Sequence, residues 1–123
     1  MLKDLFIVGL GGALGAIARY LLGGLAQRLL GSEFPWGTMA ANISGCFLIG
    51  LIAGLLPEGE STSSRLFLVV GILGGFTTFS AFGFETLNLL KDDSLGLAAA
   101  NVGIQLTAGL IAVAGGHLLS RAL

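Results

Sequence analysis

The chain has 123 residues, of which 54% are hydrophobic and 11% charged, with 21 glycines and two prolines. A soluble domain of this size needs a wetter surface and has no core able to hold apolar runs of about twenty residues, so lipid is the solvent that fits. The formal net charge of −1 leaves no basic footprint for nucleic acid, and a single cysteine, Cys46, cannot build an intrachain disulfide framework.

Four apolar runs follow one another, at about residues 5–30, 36–56, 66–90 and 95–119. Each is long enough to cross roughly 30 Å of hydrocarbon as a helix. The expected fold class is therefore an all-α membrane protein, with residues 1–123 forming a single four-helix transmembrane domain. The polar breaks at 31–35, 57–65 and 91–94 are short, which makes neighbouring helices antiparallel. Pro35 and Pro57 fall at run boundaries, where a missing backbone donor costs little.

In the first run, Lys3 before an apolar stretch and Ala16-Ile17-Ala18 imitate a signal peptide. Asp4 spoils the positive start, however, and the apolar run resumes beyond Arg19. The glycines from Gly9 to Gly15 imitate a dinucleotide loop, but the third glycine is out of place and no strand–helix–strand alternation follows. Small residues four apart, Gly11 with Gly15 and Gly12 with Ala16, fit close helix packing in lipid. Rising 1.5 Å per residue from Leu5, Arg19 stands roughly 21 Å along the helix, near the far boundary. It either anchors the helix there by snorkelling or draws anions into a vestibule.

The second run repeats the small-residue spacing at Gly37, Ala41 and Gly45 and at Gly50 and Gly54, and carries Cys46 as a buried apolar thiol. The third run departs from a plain lipid-spanning helix. Gly74-Gly75 followed by Thr77-Thr78 at mid-span suits a break whose freed carbonyls face a cation or a water-filled cavity. Phe79 and Phe82, three apart, share a face. Their ring edges carry positive quadrupole density that favours an anion, and ordinary aromatic packing is the alternative.

The fourth run sets Asn101 and Gln105 on one face and adds Thr107, a polar stripe suited either to interhelical hydrogen bonds or to a pore. Ala99, Gly103 and Thr107 continue the small-residue spacing, and His117 reads as a solvated histidine at the membrane interface. Neither His117 nor Cys46 has partners at metal-ligand spacing, and no nucleophile–base set or carboxylate pair is present, so the chain reads as a non-enzyme.

The stretch Gly74-Gly75-Phe76-Thr77-Thr78-Phe79-Ser80-Ala81-Phe82, followed by Glu85, resembles the Fluc (CrcB) family of fluoride channels. Two further pieces are similar to family patterns and stand in order: Gly12-Ala13-Leu14-Gly15-Ala16-Ile17-Ala18-Arg19-Tyr20, and Pro35-Trp36-Gly37-Thr38-Met39-Ala40-Ala41-Asn42-Ile43-Ser44-Gly45. The resemblance covers essentially the whole chain. It implies a broken third helix and an antiparallel, dual-topology homodimer with two fluoride pathways. Phe79 and Phe82 would give edge-on contacts, Asn42 would donate from its amide, and Thr38, Gln105 and Thr107 would add polar lining. A structural sodium ion would be held by the backbone carbonyls of Gly74 and Thr77. Arg19 and Glu85 would stand beside the pathway in vestibule or structural roles, with capping at the membrane boundary the simpler reading of Glu85. Family members commonly place a serine where Gln105 stands, so the polar track departs from the pattern there. The partners implied are fluoride, a second copy and the lipid bilayer, in the plasma membrane of a bacterium.

Charge leaves the topology open. Lys3, Arg65 and Arg121 lie on one side, Arg28 and Lys91 on the other, and counting Arg19 removes the bias. Such a chain inserts either in one weakly preferred topology or in both orientations. Four short spans enclose little volume, so a transport site is expected between protomers. The alternative function is a small proton-coupled multidrug-type exporter, which needs a titratable carboxylate deep in the membrane. The first run offers none, and Glu85 lies toward an end of the third.

Overall fold

A computed structural model describes residues 1–56 and 62–123. The expected polar break at 57–65 therefore lies, as far as position 61, outside the described residues. All regular elements among the described residues are helical. Helix α1 spans Leu2–Leu30 and stops at Gly31, whose φ of 86° closes the last turn while its N–H donates to the Gln27 carbonyl at 3.0 Å. Only glycine takes that left-handed geometry without strain. Helix α2, Trp36–Leu55, starts directly after Pro35, whose carbonyl accepts from the Met39 N–H at 3.1 Å.

The third span, Ser63–Lys91, is composite. It contains α3 (Thr62–Arg65), a π-helical stretch Leu66–Leu73, α4 (Gly74–Phe76) and α5 (Phe79–Lys91). Helix α6 spans Leu95–Ala122. Among the described residues, four spans are thus long and apolar enough to cross a membrane. They outrun the apolar stretches at both ends of the chain, because Lys3, Asp4 and Arg121 continue the helices while their charged heads can reach the interface.

Close backbone approach decides which helices pair. Helix α2 packs chiefly against α6, and α1 chiefly against the first half of the third span. A methyl group on Gly50 would meet the Val113 carbonyl, and one on Gly116 would meet the Phe47 carbonyl, so α2 and α6 interlock in both directions. Gly15 lies against the Ile72 carbonyl in the same way. This is how small residues promote helix association where lipid tails remove any hydrophobic drive between helices. Gly103, by contrast, has open space beside it. Leu5, Phe6, Leu10, Leu14 and Ile17 form an exposed apolar face on α1 that suits lipid.

The two halves of the third span have different neighbours. The first rests on α1, and α5 rests on α6. The junction between them holds the site.

Candidate functional site

Helical backbone stops at Phe76 and resumes at Phe79. Thr77 (φ −85°, ψ 155°) and Thr78 (φ −152°, ψ 118°) are extended, whereas Gly74 is still helical (φ −61°, ψ −37°). The interruption therefore falls on the threonines rather than on the glycine pair. Thr77 keeps its own N–H and Oγ1 on the Leu73 carbonyl, both at 2.9 Å, and its methyl packs over Gly45. Thr78 starts the next helix by accepting from the Ala81 N–H at 3.2 Å through Oγ1. This is an N-cap of the kind threonine commonly makes.

Two donors are thereby redirected. In a continuous helix the Thr78 N–H would serve the Gly74 carbonyl and the Ala81 N–H the Thr77 carbonyl. Here the first donates to Asn42 Oδ1 at 2.8 Å and the second to the Thr78 hydroxyl. The Gly74 and Thr77 carbonyls are left without their helical donors, and such oxygens are hard ligands suited to a small cation. The intervening Gly75 carbonyl is capped by Arg19 Nε at 3.1 Å. Arg19 is half-buried at the level of the break.

Asn42 meets the extended backbone with both ends of its amide. Oδ1 accepts from the Thr78 N–H, and Nδ2 donates to the Thr78 carbonyl at 3.0 Å. Nδ2 also donates to Gln105 Oε1 at 2.8 Å. Gln105 Nε2 donates to Asn101 Oδ1 at 2.8 Å, Asn101 Nδ2 to Thr86 Oγ1 at 3.0 Å, and Thr86 Oγ1 to the Phe82 carbonyl at 2.7 Å. Asn101 is fully buried. The chain of bonds leaves the third span at Thr78, crosses α2 and α6, and returns to it at Phe82.

The turn it encloses carries both aromatic candidates. The rings of Phe79 and Phe82 are tilted by 41° with centroids 5.5 Å apart, yet Phe82 is 9% exposed and Phe79 81% exposed. A cavity of about 390 Å³ opens beside them, lined by Asn42, Thr77, Thr78 and Gln105 among others. A second cavity of about 650 Å³ has Arg19, Thr38 and Glu85 in its walls. Thr38 Oγ1 donates to Glu85 Oε1 at 2.8 Å, while the buried Glu85 Oε2 has no hydrogen-bond partner among the described residues. Thr107 lies on an exposed face of α6, apart from the Asn101 and Gln105 stripe. His117 is exposed.

The structure therefore brings together Asn42, Phe79, Phe82, Gln105, Gly74 and Thr77 at the break, joins Thr38 to Glu85 beside it, and leaves Thr107 outside. Sequence reasoning missed Thr78 and Thr86 as partners. Thr86 lies one helical turn after Phe82, which is a readable signal, but its pairing with Asn101 depends on how α5 and α6 meet.

Four apolar spans with a polar, hydrogen-bonded interruption midway along one of them define a multi-pass membrane protein. The chain belongs to the CrcB-like protein, Camphor Resistance (CrcB) family, whose model matches residues 6–117. It is 45% identical over 120 residues to a fluoride-specific ion channel FluC of Agrobacterium fabrum, covering 96% of each chain. It is 49% identical over 118 residues to one of Thermus thermophilus, covering 95% of this chain and 94% of the relative. To one of Opitutus terrae it is 47% identical over 115 residues, 90% and 87% of the two chains.

Proposed function

We propose that the protein is a fluoride-selective channel that lets fluoride leave the cytoplasm passively, working as an antiparallel homodimer with a broken third helix in the bacterial plasma membrane. The observation that carries the reading is the interruption at Thr77 and Thr78, polar and open on one side next to an 81% exposed Phe79. Irregular backbone at membrane depth is tolerated only against protein or a water-filled cavity, never against lipid. A second copy is the natural cover, since the same surface on both subunits closes a two-fold interface. Its exposed small-residue row at Gly103 offers room for close approach. The relatives named as fluoride-specific ion channels supply the substrate.

Fluoride is small and strongly hydrated, so a pore must replace its water with donors and positive ring edges without holding the ion too tightly to leave. Phe79 and Phe82 supply ring edges, Asn42 an uncharged amide, and Arg19 a positive charge in the adjoining cavity. The Gly74 and Thr77 carbonyls fit a sodium ion, although two oxygens from one chain cannot enclose a cation. Two copies would offer four, and the ion would add positive potential and bridge the subunits.

The test is fluoride efflux from liposomes holding the purified protein, read with a fluoride electrode after a potassium ionophore is added, with chloride-loaded vesicles in parallel. Rapid release of fluoride alone supports the channel. No release from a reconstituted dimer overturns it, and drug-for-proton exchange by the same vesicles would establish the exporter instead.

A further inference from the structure

The hydrogen-bond circuit described above has a fixed direction. It begins at the Thr78 N–H, which can only donate, and ends at the Phe82 carbonyl, which can only accept. Each amide between them is therefore oriented without freedom to flip: Asn42 must present Oδ1 to Thr78, Gln105 must present Oε1 to Asn42, and Asn101 must present Oδ1 to Gln105. In this arrangement both amide protons of Asn42 are already engaged, one by the Thr78 carbonyl and one by Gln105 Oε1. An anion that is to receive a hydrogen bond from Asn42 must displace one acceptor. The Thr78 carbonyl is held by its own peptide unit, whereas Gln105 Oε1 ends a side chain with rotatable torsions and lines the same cavity as Phe79 and Phe82.

The geometry points to Gln105 as a specificity-determining residue whose Oε1 stands in for fluoride on the Asn42 amide and is displaced when the ion enters. This inference rests on the fluoride-channel reading and deepens it. An internal acceptor lowers affinity by about the factor one neutral hydrogen bond is worth, which speeds the departure of a strongly binding ion. It also discriminates. An anion that accepts hydrogen bonds weakly cannot displace a well-placed amide oxygen, whereas fluoride can.

The first experiment compares wild-type protein with Gln105→Met, which keeps the length of the side chain and removes the acceptor. Initial fluoride efflux is measured from vesicles loaded at low and at high fluoride. The ratio of low-fluoride to high-fluoride flux is expected to rise about fivefold in the variant, because the ion no longer has a competitor. A purely structural role would slow both fluxes by one factor and leave the ratio unchanged, and that result overturns the inference. A second measurement needs no variant. The chain has three asparagines and two glutamines, so its side-chain amide NMR spectrum is simple. Titration of the wild-type dimer with fluoride is expected to move the Asn42 and Gln105 signals together with one midpoint, and chloride to move neither. Asn42 shifting alone, or neither shifting in a protein that conducts fluoride, overturns the inference and leaves the channel standing. A wild-type protein that releases no fluoride overturns the channel reading itself.

Discussion

Phe79 and Phe82 carry the same ring in opposite surroundings, although they share a face of α5 and their centroids lie 5.5 Å apart. Phe82 is buried, with its carbonyl accepting from Thr86, while Phe79 is exposed. Phe82→Ile keeps an apolar group of moderate size and removes the ring edge. Fluoride efflux is expected to fall about tenfold, the scale of one good aromatic contact, with the dimer peak on size exclusion unchanged. Unaltered flux would mean that the ring packs the helix and does not meet the ion. At this scale the sequence was informative about residue type and much less so about partners. The i,i+4 spacing of Asn101 and Gln105 announced their shared face, and the structure joins them at 2.8 Å. Nothing local could show that Gln105 reaches Asn42, sixty-three positions away, or that Arg19 caps Gly75.

Adjacent residues on one helix can have opposite tolerance when a neighbouring backbone crosses only one of them. Gly116 lies against the Phe47 carbonyl, while Gly115 has open space where a methyl would go. Gly116→Ala is expected to lower the melting point of the purified protein in detergent, at a cost of about 1–3 kcal/mol from overpacking. Gly115→Ala is expected to be neutral or stabilising by about 0.5–1 kcal/mol through helix propensity. A thermal melt of both variants checks this, and equal shifts would refute the crossing. The four spans themselves were legible because apolar length is a strong signal, and the ends moved only by a few residues where charged side chains extend a helix. The placement of the interruption was less so. A glycine pair looks like the weak point, yet Gly74 is helical, because the extended conformation is held by the Thr78 cap and by Asn42. The eight-residue π-helical stretch before it had no sequence signal at all.

For the whole molecule, the proposed sodium site on the Gly74 and Thr77 carbonyls would tie cation binding to assembly. Exchange of sodium for a large organic cation is expected to weaken the dimer, by about 3 kcal/mol if sodium is held a hundredfold above its Kd. Dissociation in detergent followed by size exclusion reads the effect, and identical dissociation in both salts would remove the ion from the assembly. Near-balanced loop charge was readable from sequence. The circuit from Thr78 to Phe82 also bears on how the protein is made. The insertion machinery meets 63–91 as one unbroken hydrophobic segment, the most apolar of the four spans. One anchor of the interruption, Asn42, is synthesised before that segment, and the other two, Asn101 and Gln105, after it. A nascent chain halted ahead of Asn101 would therefore hold Asn42 without its partner on α6, so the site is completed only when the last span leaves the ribosome and docks.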